Sequence, residues 1–156
     1  MWTDDGAPPD GLRQGAGVIG IVVVAHQDLA QALVRAAEGI AGPMPAVWAV
    51  ALSYRDPVEE ARRRLEKTIR KADQGEGVLV LTDMFGGTPM NLSLPFLEPG
   101  RVEVLAGVNL PVLLKAHTAR RDTGVAALAE MLRQYGARSF VLASELWEAK
   151  PAEGGR

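Results

Sequence analysis

Four short apolar runs constrain this chain more than any other feature. They are Val18-Ile19-Gly20-Ile21-Val22-Val23-Val24, Ala46-Val47-Trp48-Ala49-Val50-Ala51-Leu52, Val78-Leu79-Val80-Leu81 and Val102-Glu103-Val104-Leu105. The first three, rich in β-branched residues and lacking polar alternation, read as strands buried on both faces, as in a parallel sheet covered by helices, and the last, interrupted by Glu103, reads as a fourth strand. The segments between them have helical spacing. Apolar residues fall at Leu29, Ala32, Leu33, Ala36, Ala37 and Ile40, and Gly42-Pro43 stops that helix. Val58, Ala61, Leu65, Ile69 and Ala72 form a second apolar stripe. Asp56-Pro57-Val58-Glu59 ahead of it reads as an N-cap, a first-turn proline and an acidic third position. The opposite side pairs Glu59 with Arg63, Glu60 with Arg64 and Glu66 with Arg70, so Arg62-Arg63-Arg64 reads as a solvated face and not a docking patch.

Later in the chain, Asn109 is the candidate cap of a helix running to about Ala119. Another helix spans Val125 to Tyr135, and Ser139-Phe140-Val141-Leu142-Ala143 reads as a last, short strand. The alternation implies an open, mainly parallel, doubly wound α/β sheet. Right-handed crossovers and short links favour the order 2-1-3-4.

At 156 residues, one domain is expected, spanning residues 17–146, with flexible tails at 1–16 and 147–156. A net charge of −2 gives no reason to expect a nucleic-acid surface, which usually needs a basic face. No apolar run approaches the ~20 residues that span a membrane. The start of the chain, with Asp4, Asp5, Pro8, Pro9 and Asp10, is unlike a basic signal peptide. There is no cysteine, which removes disulfide and thiolate chemistry and fits a reducing, cytoplasmic setting. Two histidines without cysteine make no dedicated zinc site, and neither a metal nor a cofactor is expected.

The chemistry gathers at two strand ends. His26 follows the first strand and Asp83 the third, and the order 2-1-3-4 makes those strands neighbours. Two residues 57 positions apart in sequence should therefore meet in the crevice at the carboxyl edge of the sheet. A carboxylate bonded to one imidazole nitrogen fixes the tautomer and leaves the other lone pair free to attack. After Asp83, Gly86-Gly87 gives an unhindered turn and Thr88-Pro89 a helix start, whose backbone N–H groups suit an anion. No lysine follows the glycines, so this is not a P-loop, and no serine sits in a nucleophile elbow. From the residues alone this is an anion-handling His/Asp crevice suited to phosphoryl transfer. A strand-end histidine and a turn aspartate also serve as ordinary hydrogen-bonded groups, and both readings stay open at this point. His117, inside a helix, reads as structural.

Taken together, the motifs resemble the IIA domain of the mannose family of the bacterial phosphoenolpyruvate-dependent sugar phosphotransferase system. The matching pieces are Ile21-Val22-Val23-Val24-Ala25-His26, Ala37-Glu38-x-Ile40-x-Gly42, Leu81-Thr82-Asp83-Met84-Phe85-Gly86-Gly87-Thr88-Pro89-x-Asn91 and Gly107-Val108-Asn109-Leu110-Pro111. The resemblance implies that the phosphocarrier HPr phosphorylates His26, which passes the group to a IIB protein on a separate chain. Asp83 would orient His26, and Gly86, Gly87 and Thr88 would hold the phosphoryl group. It also implies a homodimer in which the last strand, Ser139 to Ala143, crosses to the other subunit, and contact with a membrane only through a transport complex. Two positions depart from the family pattern: Ala25 stands where a serine or threonine is usual, and Gln27 where glycine is. Two alternatives are a regulatory module whose phosphorylation state is read by a partner without sugar transport, and the phosphotransfer subunit of dihydroxyacetone kinases. The Gly86-Gly87-Thr88-Pro89 motif argues against the second.

Overall fold

The computed structural model describes residues 17–148. Its elements are β1 (Gly20–His26), α1 (Leu29–Ala41), β2 (Val47–Leu52), α2 (Val58–Ala72), β3 (Val78–Thr82), α3 (Thr88–Ser93) with a 3-10 turn at Leu94–Phe96, β4 (Val102–Ala106), α4 (Leu110–Ala119), α5 (Val125–Ala137) and α6 (Ala143–Glu148). The four strands form one all-parallel sheet in the order β2-β1-β3-β4.

Side-chain alternation along the strands divides the core in two. Ile21, Val23, Ala25, Val47, Ala49, Leu79 and Leu81 pack under α1, α4 and α5. Val22, Val24, Trp48, Val50, Val78 and Val80 pack under α2 and the α3 segment. Both faces of β1 are covered, which is why its sequence is an unbroken apolar run. Gly20 has its own reason to be glycine: a Cβ there would lie 2.2 Å from the Ala72 carbonyl oxygen, where the end of α2 crosses the strand.

Several local expectations are corrected. Asp56 does not cap α2, whose N-cap is Pro57; its carboxylate accepts from the Ser53 amide and from Arg64. Of the three expected pairs on α2, Glu66–Arg70 forms. Arg62 takes Glu59 instead, Arg63 donates to the Glu59 carbonyl, and Arg64 reaches back to Asp56 and the Ala51 carbonyl. A long arginine side chain has several acceptors within reach, and backbone oxygens and turn carboxylates compete with the i−4 glutamate. Thr88 is the first residue of α3 and not its cap, a position held by Gly87. Asn109 does cap α4, accepting from the Val112 amide at 2.9 Å.

Among the described residues no strand forms at Ser139–Ala143. The segment pairs with none of the described strands; the Ser139 amide turns back to the Gly136 carbonyl, and the chain runs into α6. A strand is completed by hydrogen bonds from a neighbour, and none of the described strands offers the segment any. Phe140, Val141, Leu142, Leu146 and Trp147 are all exposed. Residues 147 and 148, expected in the tail, belong to α6, while the tails at 1–16 and 149–156 lie outside the described residues. Among the described residues no helix is long and apolar enough to cross a membrane.

Candidate functional site

Strand register brings the site together. Val24 of β1 lies beside Thr82 of β3, so His26, two residues on, stands beside the loop that opens at Asp83. One Asp83 oxygen, Oδ2, accepts from the His26 backbone N–H at 2.9 Å and lies 2.6 Å from His26 Nδ1. The other, Oδ1, accepts from the Met84 amide at 2.9 Å. An ionised carboxylate only accepts, so Nδ1 carries the ring proton and donates it, leaving the lone pair on Nε2. The pair is partly buried, which restricts solvent competition for it.

The glycine turn closes on that nitrogen. A Cβ built on Gly87 would stand 3.0 Å from His26 Cε1 and 3.6 Å from Nε2, so glycine leaves the space in front of Nε2 open. Gly87 has an ordinary extended backbone, so its value is close approach and not conformational freedom. Gly86, at φ +77°, supplies the turn itself. Gly86 and Thr88 flank Gly87 in the same turn and are exposed.

The departures from the family pattern have different consequences. Ala25 is fully buried in the core under α1. Gln27 has φ +53°, a left-handed conformation that costs an L-residue roughly 1 kcal/mol and glycine little. The backbone at this position therefore favours glycine, and Gln27 occupies it under strain. Gln27→Gly is expected to raise the unfolding free energy by about 0.5–1 kcal/mol, read by urea denaturation. A loss of stability would show that the glutamine side chain makes up for the strain.

Tyr54 was missed in the sequence. Its ring lies 5.7 Å from the His26 ring, tilted by 36°. The signal was present: in the order 2-1-3-4, the residues after β2 also flank His26, by the rule that paired His26 with Asp83. A cavity of about 280 Å³ beside the site is lined by Gln27, Gln31, Ser53, Asp56 and Arg64 along the outer edge of β2. Arg64, and then the Ser53 amide, hold the Asp56 carboxyl below its ordinary value. His117 lies away from the crevice, 3.3 Å from Arg120 in α4's last turn, and burial followed by the charges of Arg120 and Arg121 lowers its imidazole below 6.5. Among the described residues no group of three or more His, Asp or Glu side chains is arranged to hold a metal ion.

The fold and site define an α/β domain with a carboxylate-oriented histidine at the switch point of a parallel sheet. Residues 20–133 match the mannose-type EIIA family, described as "PTS system fructose IIA component", and the chain belongs to that family. It is similar to the fructose-specific EIIA component of Bacillus subtilis, at 29% identity over 82% of this chain and 88% of that protein. The sorbose-specific EIIA component of Lacticaseibacillus casei is 30% identical over 72% of this chain and 81% of its own length. Among solved structures, phosphotransferase system component EIIA from Streptococcus agalactiae superposes with a TM-score of 0.74 at 27% identity, covering 81% of this chain and 98% of that one. As a family member, the chain is a phosphotransfer component of the sugar phosphotransferase system.

Proposed function

We propose that His26 Nε2 accepts a phosphoryl group from phosphorylated HPr and passes it to a IIB protein in the cytoplasm. The observation that carries this reading is the 2.6 Å contact between Nδ1 and Asp83 Oδ2, which leaves the Nε2 lone pair facing the Gly87 turn. The step is a substitution at phosphorus. The Nε2 lone pair forms the new N–P bond while the bond to the donor breaks and its electron pair leaves with the donor. His26 keeps its Nδ1 proton, so its ring becomes a cation, and the Asp83 carboxylate stabilises that charge. The backbone N–H groups of the Gly86-Gly87-Thr88 turn are the candidates to receive the phosphoryl oxygens.

Incubation with phosphorylated HPr should place one acid-labile phosphate on His26, mapped by mass spectrometry, and none on His26→Ala. Gly87→Ala, which brings a methyl into the space before Nε2, should be labelled about tenfold more slowly or worse, in line with the rate cost of small misplacements of reacting groups. An unlabelled wild-type protein, or equal labelling of His26→Ala, would overturn the assignment.

The same reading includes a homodimer. It is supported by the exposed apolar residues Phe140, Val141, Leu142, Leu146 and Trp147, which lie on a segment outside the sheet. Sedimentation equilibrium should give twice the 16.6 kDa chain mass, and a monomer at micromolar concentration would refute the dimer.

A further inference from the structure

We infer that Tyr54 is a positioning residue for phosphorylated His26: a braced turn holds its ring against the imidazole, where its π face stabilises the positive charge gained on phosphorylation. The inference rests on the reading that Nε2 of His26 takes the phosphoryl group.

The bracing is visible bond by bond. Residues 53–56 link β2 to α2 in a closed turn, with the Asp56 amide donating to the Ser53 carbonyl at 3.1 Å and the Ser53 amide to Asp56 Oδ2 at 3.0 Å. The Arg55 amide adds a bond to Ser53 Oγ at 3.2 Å. Arg64, one helical turn and more into α2, donates from Nη2 to Asp56 Oδ2 at 2.7 Å and to the Ala51 carbonyl at 2.8 Å. It therefore pins the turn to both the strand before it and the helix after it. Tyr54 sits at the tip, 81% exposed. A large aromatic ring left in water on a rigid turn gains nothing from burial, so its placement 5.7 Å from the His26 ring calls for another account.

Charge supplies it. His26 hydrogen-bonds Asp83 through its Nδ1–H and keeps that proton when Nε2 bonds to phosphorus, so the ring changes from neutral to cationic in that step. An aromatic face within about 6 Å of a cation attracts it, and at exposed sites the attraction corresponds to about a two- to fivefold change in an equilibrium constant. Tyr54, at 5.7 Å between ring centroids, lies within that range, while the Asp83 contact is made at the ring edge through Nδ1. Asp83 sets the tautomer, and Tyr54 adds to the stability of the charged product. The phenol hydroxyl has no part in this, so phenylalanine should serve as well as tyrosine.

The test uses two donors. Potassium phosphoramidate phosphorylates histidine without a protein partner: the Nε2–P bond forms, the P–N bond of phosphoramidate breaks, and its nitrogen leaves as ammonia after taking a proton from water. Phosphorylated HPr is the second donor. Wild type, Tyr54→Phe and Tyr54→Leu are brought to equilibrium with HPr, and the phosphohistidine made with phosphoramidate is followed by phosphorus NMR as it hydrolyses. Tyr54→Leu should shift the equilibrium two- to fivefold toward phosphorylated HPr and lose phosphate correspondingly faster, while Tyr54→Phe matches wild type. Equal behaviour of the leucine variant and wild type overturns the inference and leaves the phosphorylation of His26 standing. So does a phenylalanine variant that fails together with leucine, since that would assign the effect to the hydroxyl. If phosphoramidate labels His26 and phosphorylated HPr does not, the proposed donor falls, and the hydrolysis comparison still decides the role of Tyr54. If neither labels wild-type His26, both readings fall.

Discussion

Asp83→Asn should slow phosphorylation of His26 by at least about 100-fold while leaving a folded protein. Removing a carboxylate that orients a reactive histidine costs this much or more because the tautomer is no longer fixed. The geometry makes the asparagine a poor replacement for a specific reason. Asp83 accepts from three N–H groups: the His26 amide and Nδ1 at one oxygen, the Met84 amide at the other. Asparagine has one oxygen and one NH2. With the oxygen toward His26, the NH2 meets the Met84 N–H donor to donor. With the amide flipped, the NH2 meets the His26 backbone N–H and offers a proton to Nδ1, which moves the ring proton to Nε2 and removes the attacking lone pair. Either orientation leaves one backbone donor unpaired, at about 1–3 kcal/mol. Phosphorylation rates with phosphorylated HPr, alongside circular dichroism to confirm the fold, check this. Transfer within threefold of wild type would reduce Asp83 to a turn residue.

The meeting of His26 and Asp83 was legible because it depends on strand order alone. Four apolar runs with helical segments between them allow few parallel topologies, and the order 2-1-3-4 sets the ends of β1 and β3 together. The Gly86-Gly87 turn was legible because glycine marks backbone that must bend sharply or approach closely, and here Gly86 bends while Gly87 approaches. What escaped the sequence depends on choices made by side chains in three dimensions. Asp56-Pro57 has the local form of a helix cap, but Arg64 reaches it from more than a turn away and the carboxylate braces the preceding turn. Tyr54 sits on the turn so braced, and no local pattern announces it. Ser139–Ala143 has strand propensity but no strand beside it among the described residues, and propensity without a partner does not make a strand. Gln27 was legible as a departure from a pattern, whereas the positive φ it adopts there, which glycine would adopt at little cost, became visible only in the backbone.

Arg120→Met should lower the unfolding free energy by about 3 kcal/mol, although the residue lies far from the crevice. Its side chain is 1% exposed and has no carboxylate partner among the described residues. Its guanidinium donates instead to three backbone carbonyls at the amino edge of the sheet: Ile19 and Ala46, each at 3.2 Å, and Pro45. One side chain from the end of α4 thus ties together the chain entering β1 and the chain entering β2. Burial, with a smaller contribution from Arg121, lowers the guanidinium to about 10, which records the cost of holding this charge inside the protein. Methionine removes that cost and fills much of the same space. The carbonyls decide the sign. Ala46 still accepts from the Ile21 amide, but the Ile19 and Pro45 oxygens lose the arginine, at about 1–3 kcal/mol for each buried carbonyl left without a partner. The loss exceeds the gain, and a fall of roughly 10 °C in the melting temperature should accompany it. Lysine, with one compact ammonium in place of a planar fork, cannot span three divergent carbonyls and should recover only part of the loss. Urea and thermal unfolding of the two variants measure both effects. A methionine variant as stable as wild type would mean that relieving the buried charge fully offsets the carbonyls, and that Arg120 does not hold β1 to β2.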